Sequence, residues 1–530
     1  MACAGGIVAF AVACAGGADD AAGSYAPNAA DGTAPGKGAG GGAMGGAAGA
    51  SGTLPPEQEA EGSYLSPAAT SRYVWVTNPE TGRVAFVDAV TLSVTLLEAG
   101  NRPRLLAALP VADGDAAIVL NELSKDASLF RVNGGAVETV TVDLASGGNA
   151  WAVSATGRYA IAWTDAGKVQ SPDPIDGYQD LTIVDAKKGA EHATPITVGY
   201  RPVSVSYDAA ETRAFVVTQD GIAVVVLGDE PYVQKNVKIV GGGESANTRD
   251  VAITPDGARA LVRRTGEKSI SVVSLVDGAT SELALPAPAT DLDVSPDGTR
   301  ALVVVRETGQ IGIVDLANLG APISLVTVGD KDNVIGSASL ASKASLVFLY
   351  SNAVENPLLT LFDPGTSKAS KILLRAPVST VLPTTDAAFA LVLHEKPPTD
   401  PVTKQPSSLY KAGFSVVPVA ADLPPKIQGL AAKPVAAAIA DDGSRLVVAS
   451  GKKGDAAFAG HVVELPSLKI REIPLATPPV ATGIVPLAKR AFFAQDYKDG
   501  RITFVDLVTG EVRTITGFEL SSQVVYGGGQ

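Results

Sequence analysis

From Arg72 to Asn121 short apolar runs, at 72–77, 84–88, 94–98, 105–109 and 116–120, alternate with turn-forming pairs such as Asn78-Pro79, Thr81-Gly82 and Asp113-Gly114. Each run has strand length and is rich in Val, Leu and aromatic residues, which suit a pleated, half-buried surface. The pattern then restarts repeatedly towards the C-terminus. Taking the strand like Tyr73-Val74-Trp75-Val76 as the marker, units begin near 73, 116, 158, 213, 259, 300, 345, 388, 444 and 489. Spacings of 41–46 residues are the rule, with 55 and 56 as the exceptions.

A unit of about 40–45 residues is what four short strands and their turns require in a propeller blade. The expected fold is therefore all-β: one large β-propeller of about ten four-stranded units, spanning 71–530. Three hairpins carry the repeat most plainly: ITPDGARALV at 253–262, VSPDGTRALVVV at 294–305 and ADDGSRLVVAS at 440–450. Asp-Gly supplies the positive-φ geometry of a tight antiparallel turn. The long units are the third and the eighth, so two five-bladed propellers in tandem are the alternative. The midpoint, 289–305, is itself a tight hairpin, which leaves no linker there and favours one ring.

A second pattern recurs as GRVAFVDAVTLSV (82–94), GQIGIVDLANL (309–319) and GRITFVDLVTGEV (500–512), with the lead-in segments GNRPRLL (100–106) and GYRPVSV (199–205). Together these resemble the YVTN-type β-propeller repeat of bacterial surface and periplasmic proteins, over about 72–526. In that family the innermost strand of each blade is the P-x-x-V-x-V run. The resemblance implies that 521–526, SSQVVY, joins the first three strands and closes the ring within one blade.

The first seventy residues differ in kind. Residues 4–18 are apolar but short for a membrane span, as the end of a secretory signal would be. Ala11-Val12-Ala13-Cys14 resembles the bacterial lipobox, which makes 1–14 a signal peptide and Cys14 the lipidated residue; an ordinary cleaved signal with an incidental cysteine is the alternative. From 15 to 70 the composition turns to Gly, Ala, Ser and Pro, which cannot offset its own ordering entropy. Such a tether reaches about 40 Å for about 55 residues. If the lipobox resemblance holds, Ala15 after the cysteine implies outer-membrane sorting, hence an exported lipoprotein of the bacterial envelope, periplasmic or surface-exposed.

Charge and rare residues narrow the chemistry. A net charge of −13 without a basic run argues against nucleic acid. The only cysteines, Cys3 and Cys14, precede the repeats, and the only histidines are His192, His394 and His461. No disulfide can brace the repeats, and thiolate or multi-histidine metal centres are all but excluded.

Loops leading into innermost strands share a face with the loops joining second and third strands. Arg102, Arg104, Arg201, Arg249, Lys331, Arg375 and Lys433 gather in the lead-in loops and are candidate ligands for an anion, although Asp250, Asp291, Asp330 and Asp332 lie close by. Arg102 and Arg201 also fit a structural step of the repeat. Two long insertions should stand on the same face. The first, 165–180, carries Asp173, Asp176 and Asp180 around Gly177; it is either a calcium loop without EF-hand spacing or a solvated acidic loop. The second, 394–414, is Pro-rich and bears Tyr410 and Phe414, as a recognition arm or as decoration. His394 beside Glu395 could act as an acid–base pair, or be a solvated loop histidine. No G-x-S-x-G, H-E-x-x-H or Walker pattern occurs, and GGGES at 241–245 lacks the lysine of a phosphate loop. Two functions follow. One is a non-enzymatic, monomeric binding or scaffold module for a protein, peptide or envelope polymer, needing no cofactor. The other is a propeller hydrolase or lactonase-like enzyme working at the channel mouth.

Overall fold

Each of the apolar runs read between 72 and 120 becomes a strand. The computed structural model describes residues 68–111, 114–144, 147–239, 249–419 and 423–518. They form ten four-stranded antiparallel sheets, at 68–98, 103–143, 150–197, 202–238, 249–284, 291–327, 337–373, 380–430, 434–475 and 479–516. These are blades 1 to 10 of a β-propeller. Their second strands start at Tyr73, Gly114, Tyr159, Arg213, Arg259, Arg300, Val347, Phe389, Arg445 and Arg490, within two residues of the spacing read from the sequence.

Burial follows radial position. First strands of neighbouring blades touch around the axis, and one such as Arg249–Ile253 is half-buried along its length, as the wall of a central channel must be. Second and third strands are covered on both faces: Tyr159–Trp163 and Ala412–Pro418 are buried throughout. Outer strands, for example Lys368–Leu373, are largely exposed. This explains why the middle strands read as continuous Val-rich runs while the outer ones are polar. The Asp-Gly hairpins turn as the repeat predicts. Gly257, Gly298 and Gly443 sit at φ of 62°, 68° and 66°, where a side chain would be strained.

The described residues share no common core. Each of the ten seams between blades has its own apolar cluster. In the seam of blades 1 and 2, Trp75 lies 4.7 Å from Phe86 and 6.1 Å from Phe130, ring centre to ring centre. Trp151 and Trp163 fill the next two seams. Each large side chain so buried contributes about 1.5–3 kcal/mol.

The seam that closes the ring joins Val74, Ala85 and Val87 of blade 1 to Phe492, Phe504 and Phe518 of blade 10. Arg490 Nη1 donates to the Ala89 carbonyl at 2.7 Å, and the Leu487 amide to the Ser71 carbonyl at 2.8 Å. Blades 5 and 6 share a seam of the same kind, built on Leu261, Val272 and Val303. The molecule is thus one ring of ten blades and not two rings of five. The innermost place in blade 1 goes to Ala68–Ala69, paired with Trp75 and Val74, from the stretch that composition alone assigns to the tether. The segment expected there, 521–526, lies outside the described residues, as do the signal peptide, Cys14 and 241–245.

Candidate functional site

Strand direction alternates through each blade, so the lead-in loops and the second-to-third-strand loops emerge at the same end of the ring. Two of the latter are long arms: residues 164–179 between Tyr159–Trp163 and Asp180–Asp185, and residues 395–411 between Phe389–His394 and Ala412–Pro418. They rise from blades 3 and 8, five steps apart in a ring of ten, and so face each other across the channel mouth.

Both arms are braced. Arg201, in the loop leading into blade 4, donates from Nη2 to the Asp173 carbonyl (3.0 Å) and from Nε to the Asp176 carbonyl (3.3 Å). Its amide reaches the Gly177 carbonyl at 2.7 Å, and the Tyr200 hydroxyl the Pro174 carbonyl at 3.1 Å. The second arm folds on itself, with the Ser407 amide donating to the Pro398 carbonyl at 2.9 Å. It is tied down by the Thr399 amide on the Arg375 carbonyl (2.6 Å) and by Lys396 on Glu355 (3.2 Å). The Tyr410 ring lies on Gly429 so closely that a Cβ at 429 would collide with it. Despite this bracing the arms carry bare apolar side chains: Ile175 and Val402 midway along each are 88% and 86% exposed, and Leu409 near the base of the second is 81% exposed, the highest values of any large apolar side chain among the described residues.

The seven candidate cations do line the lead-in side, yet the structure places most of them against partners within their own or the adjoining blade. Arg102 and Arg104 both lie 3.3 Å from Glu122. Lys331 meets Asp332 at 3.0 Å and Lys433 meets Glu395 at 2.5 Å. Arg201 is spent on the first arm, and Arg249 donates from Nη2 to the Thr218 carbonyl. Arg375 is exposed; the carboxyl pKa of nearby Asp400 is lowered by hydrogen bonds from the Thr403 and Val402 amides, to which Arg375 adds a smaller share. Arg102 and Arg201 sit at φ of 59° and 50°, which makes them conformational features of the lead-in step as well as charges. Asp250, on the channel wall, faces Arg263 at 3.6 Å, and burial raises its carboxyl despite that neighbour.

The three aspartates of the first arm serve separate local roles. Asp173 Oδ1 accepts from the Ile175 amide (2.9 Å), Asp176 Oδ1 from the Tyr178 amide (2.8 Å) and Asp180 Oδ1 from the Thr197 hydroxyl (2.7 Å). Among the described residues no group of three or more His, Cys, Asp and Glu side chains, these included, is disposed to hold a metal ion.

His394 is not a loop residue. It is the last residue of the second strand of blade 8 and is fully buried, with Nδ1 2.8 Å from the Pro377 carbonyl and Nε2 2.8 Å from Ser415 Oγ. Burial lowers its pKa to about 4, so it is neutral at pH 7 with both nitrogens engaged. The solvated histidine and the acid–base pair with Glu395 are both set aside, Glu395 being turned to Lys433. His461 is also buried, against Phe414 at 5.6 Å, and burial likewise lowers its pKa.

His394 belongs to a belt that the sequence does not announce. The residue ending the second strand is repeatedly polar and tied to the third strand or its loop. Asn121 Nδ2 donates to Ser128 Oγ at 2.9 Å and Arg264 Nη1 to Ser271 Oγ at 2.8 Å. Thr218 Oγ1 donates to Asp220 at 2.7 Å, and Gln495 Nε2 to Thr503 Oγ1 at 2.9 Å. Residue type changes from blade to blade, so only the shared register reveals it.

No protein-family model matches the chain, and no curated protein matches it in sequence. Among solved structures, a eukaryotic initiation factor aligns over 76% of this chain and 96% of its own, with 13% identity and a TM-score of 0.54. Hydrazine synthase of Kuenenia stuttgartiensis aligns over 51% of this chain and 80% of its own, at 13% identity and a TM-score of 0.32. AztD of Citrobacter koseri aligns over 59% and 87%, at 11% identity and a TM-score of 0.37. The likeness to the initiation factor is one of fold alone.

Proposed function

We propose that the protein is a non-enzymatic binding or scaffold module of the bacterial cell envelope, tethered through a lipid on Cys14, which engages a protein, peptide or envelope polymer through its loop-bearing face. The observation that carries this reading is the pair of braced arms with bare apolar side chains. A loop fixed before contact loses little conformational freedom on binding, so exposed Ile175, Val402 and Leu409 can contribute their burial to affinity. The sealed position of His394 and the local pairing of most lead-in cations support binding over chemistry at that face. The tether, with a reach of about 40 Å, would let a lipid-held ring present this face to a partner.

The test is site-specific photocrosslinking in envelope preparations, with the reactive side chain at position 175 or 402 and, as a control, at 276 on the opposite end of the ring. Defined adducts at 175 and 402 but not at 276 are expected, with Cys14→Ser releasing the protein from the membrane fraction. Equal labelling at all three positions would remove the proposed binding face.

A further inference from the structure

The two arms differ in sign. Residues 164–179 hold three aspartates against one lysine, and Asp180 follows at the strand edge, whereas 395–411 hold three lysines, one of them on Glu355, against two acids, one of them on Lys433, with exposed Arg375 beside them. They stand at opposite ends of one diameter, on the same face, and each carries a bare aliphatic side chain. We infer that this face docks on the same face of a second copy of the chain, the acidic arm of each protomer against the basic arm of the other. The inference rests on the reading of this face as the binding surface and names its partner, in place of the monomer expected from the sequence.

Charge complementarity between the chain's own two arms is what favours a second copy over an unrelated partner. In a twofold contact, if one patch touches another, the reciprocal contact must form as well. Turning one ring over about an axis perpendicular both to the channel and to the diameter joining the arms lays blade 3 on blade 8 at both ends at once. Two patches of opposite charge on one face meet that condition, each finding its complement on the other copy. Ile175 of each copy then approaches Val402 and Leu409 of the other, removing from water the three most exposed aliphatic side chains among the described residues. Opposite charges around apolar centres set the register and make association weaken with salt.

The experiment is sedimentation velocity of the full chain in mild detergent over a concentration series, with two charge-reversed variants. The first carries Gln170→Lys, Asp173→Asn, Asp176→Asn and Gln179→Lys; asparagine keeps the Oδ1 atoms that cap the Ile175 and Tyr178 amides. The second carries Lys404→Glu and Lys411→Glu, both on exposed side chains. Wild type is expected to form a concentration-dependent dimer. Each variant alone, now with two arms of like sign, should dimerise at least about tenfold more weakly. An equimolar mixture of the two should recover the dimer, because every contact then pairs opposite signs. Unchanged circular dichroism of both variants guards against unfolding.

Wild type that stays monomeric to about 100 μM, or variants that dimerise as well alone as mixed, overturns the inference. The crosslinking experiment separates the two ideas. Adducts from 175 and 402 to a different protein, with wild type monomeric, would sink the dimer and leave the binding face standing. Indiscriminate adducts would sink both.

Discussion

Replacing His394 by glutamine should make blade 8 less sensitive to acid. The imidazole is fully buried between the Pro377 carbonyl and Ser415 Oγ, and burial lowers its pKa from 6.5 to about 4. An unfolded chain therefore binds the proton more readily than the folded one. The histidine's contribution is fully present above pH 6.5, is lost as pH falls from there towards 4, and is gone below 4. Between pH 7 and 5 the loss is about 2 kcal/mol, or about 20-fold in the equilibrium for opening. Gln495 occupies the corresponding place in blade 10 and bonds Thr503 Oγ1 at 2.9 Å, so His394→Gln borrows a solution the ring already uses. The assay is hydrogen–deuterium exchange of peptides covering 389–394 and 412–418 at both pH values, corrected for intrinsic exchange. Wild-type protection should fall about 20-fold more than that of the variant. Equal losses in the two proteins would show that His394 does not exclude the proton, and the burial reasoning would fail with it.

Arg201→Ala should free the first arm without unfolding the ring, at about 1–2 kcal/mol, because the charged donor to the Asp173 and Asp176 carbonyls is lost. Trypsin cleavage after Lys168 would then accelerate, and an unchanged rate would refute the brace. Gly257→Ala should cost about 2–3 kcal/mol in a denaturant melt, since φ is 62° there and the new Cβ would meet the Phe215 ring; a loss below about 0.5 kcal/mol would contradict it. Phe414→Ala, in the seam of blades 8 and 9, should cost about 3–5 kcal/mol by opening a cavity beside His461. A near-neutral result in the same melt would mean that the seam collapses around the gap.

The architecture is legible because it is written locally. Strand, turn and unit spacing all lie within some forty residues, and even the placement of both arms between second and third strands follows from counting. What escapes is long-range. Lys433 and Glu395 are 38 residues apart and Arg249 and the Thr218 carbonyl 31, so a row of lead-in cations looks barer in sequence than in space. His394 reads as a loop residue because Glu-Lys-Pro-Pro follows it, yet the strand runs one residue further than the apolar pattern and seals it. Ala68–Ala69 have no strand signature at all; only their pairing to Trp75 and Val74 reveals them as a strand. The belt around Asn121, Thr218, Arg264 and Gln495 is invisible for another reason: it keeps a geometry and varies the residues.

Closure through Val74, Phe492 and Phe518 bears on the order of assembly during synthesis. Nine of the ten seams join neighbours in the chain and can form as each new blade leaves the ribosome. The remaining one joins partners some four hundred residues apart, as the bond from Arg490 to Ala89 shows, so it must wait until nearly all the chain has emerged. Until then the nascent arc carries an uncovered greasy flank on its oldest blade. That flank is where a holding chaperone would be needed and where a truncated product would aggregate.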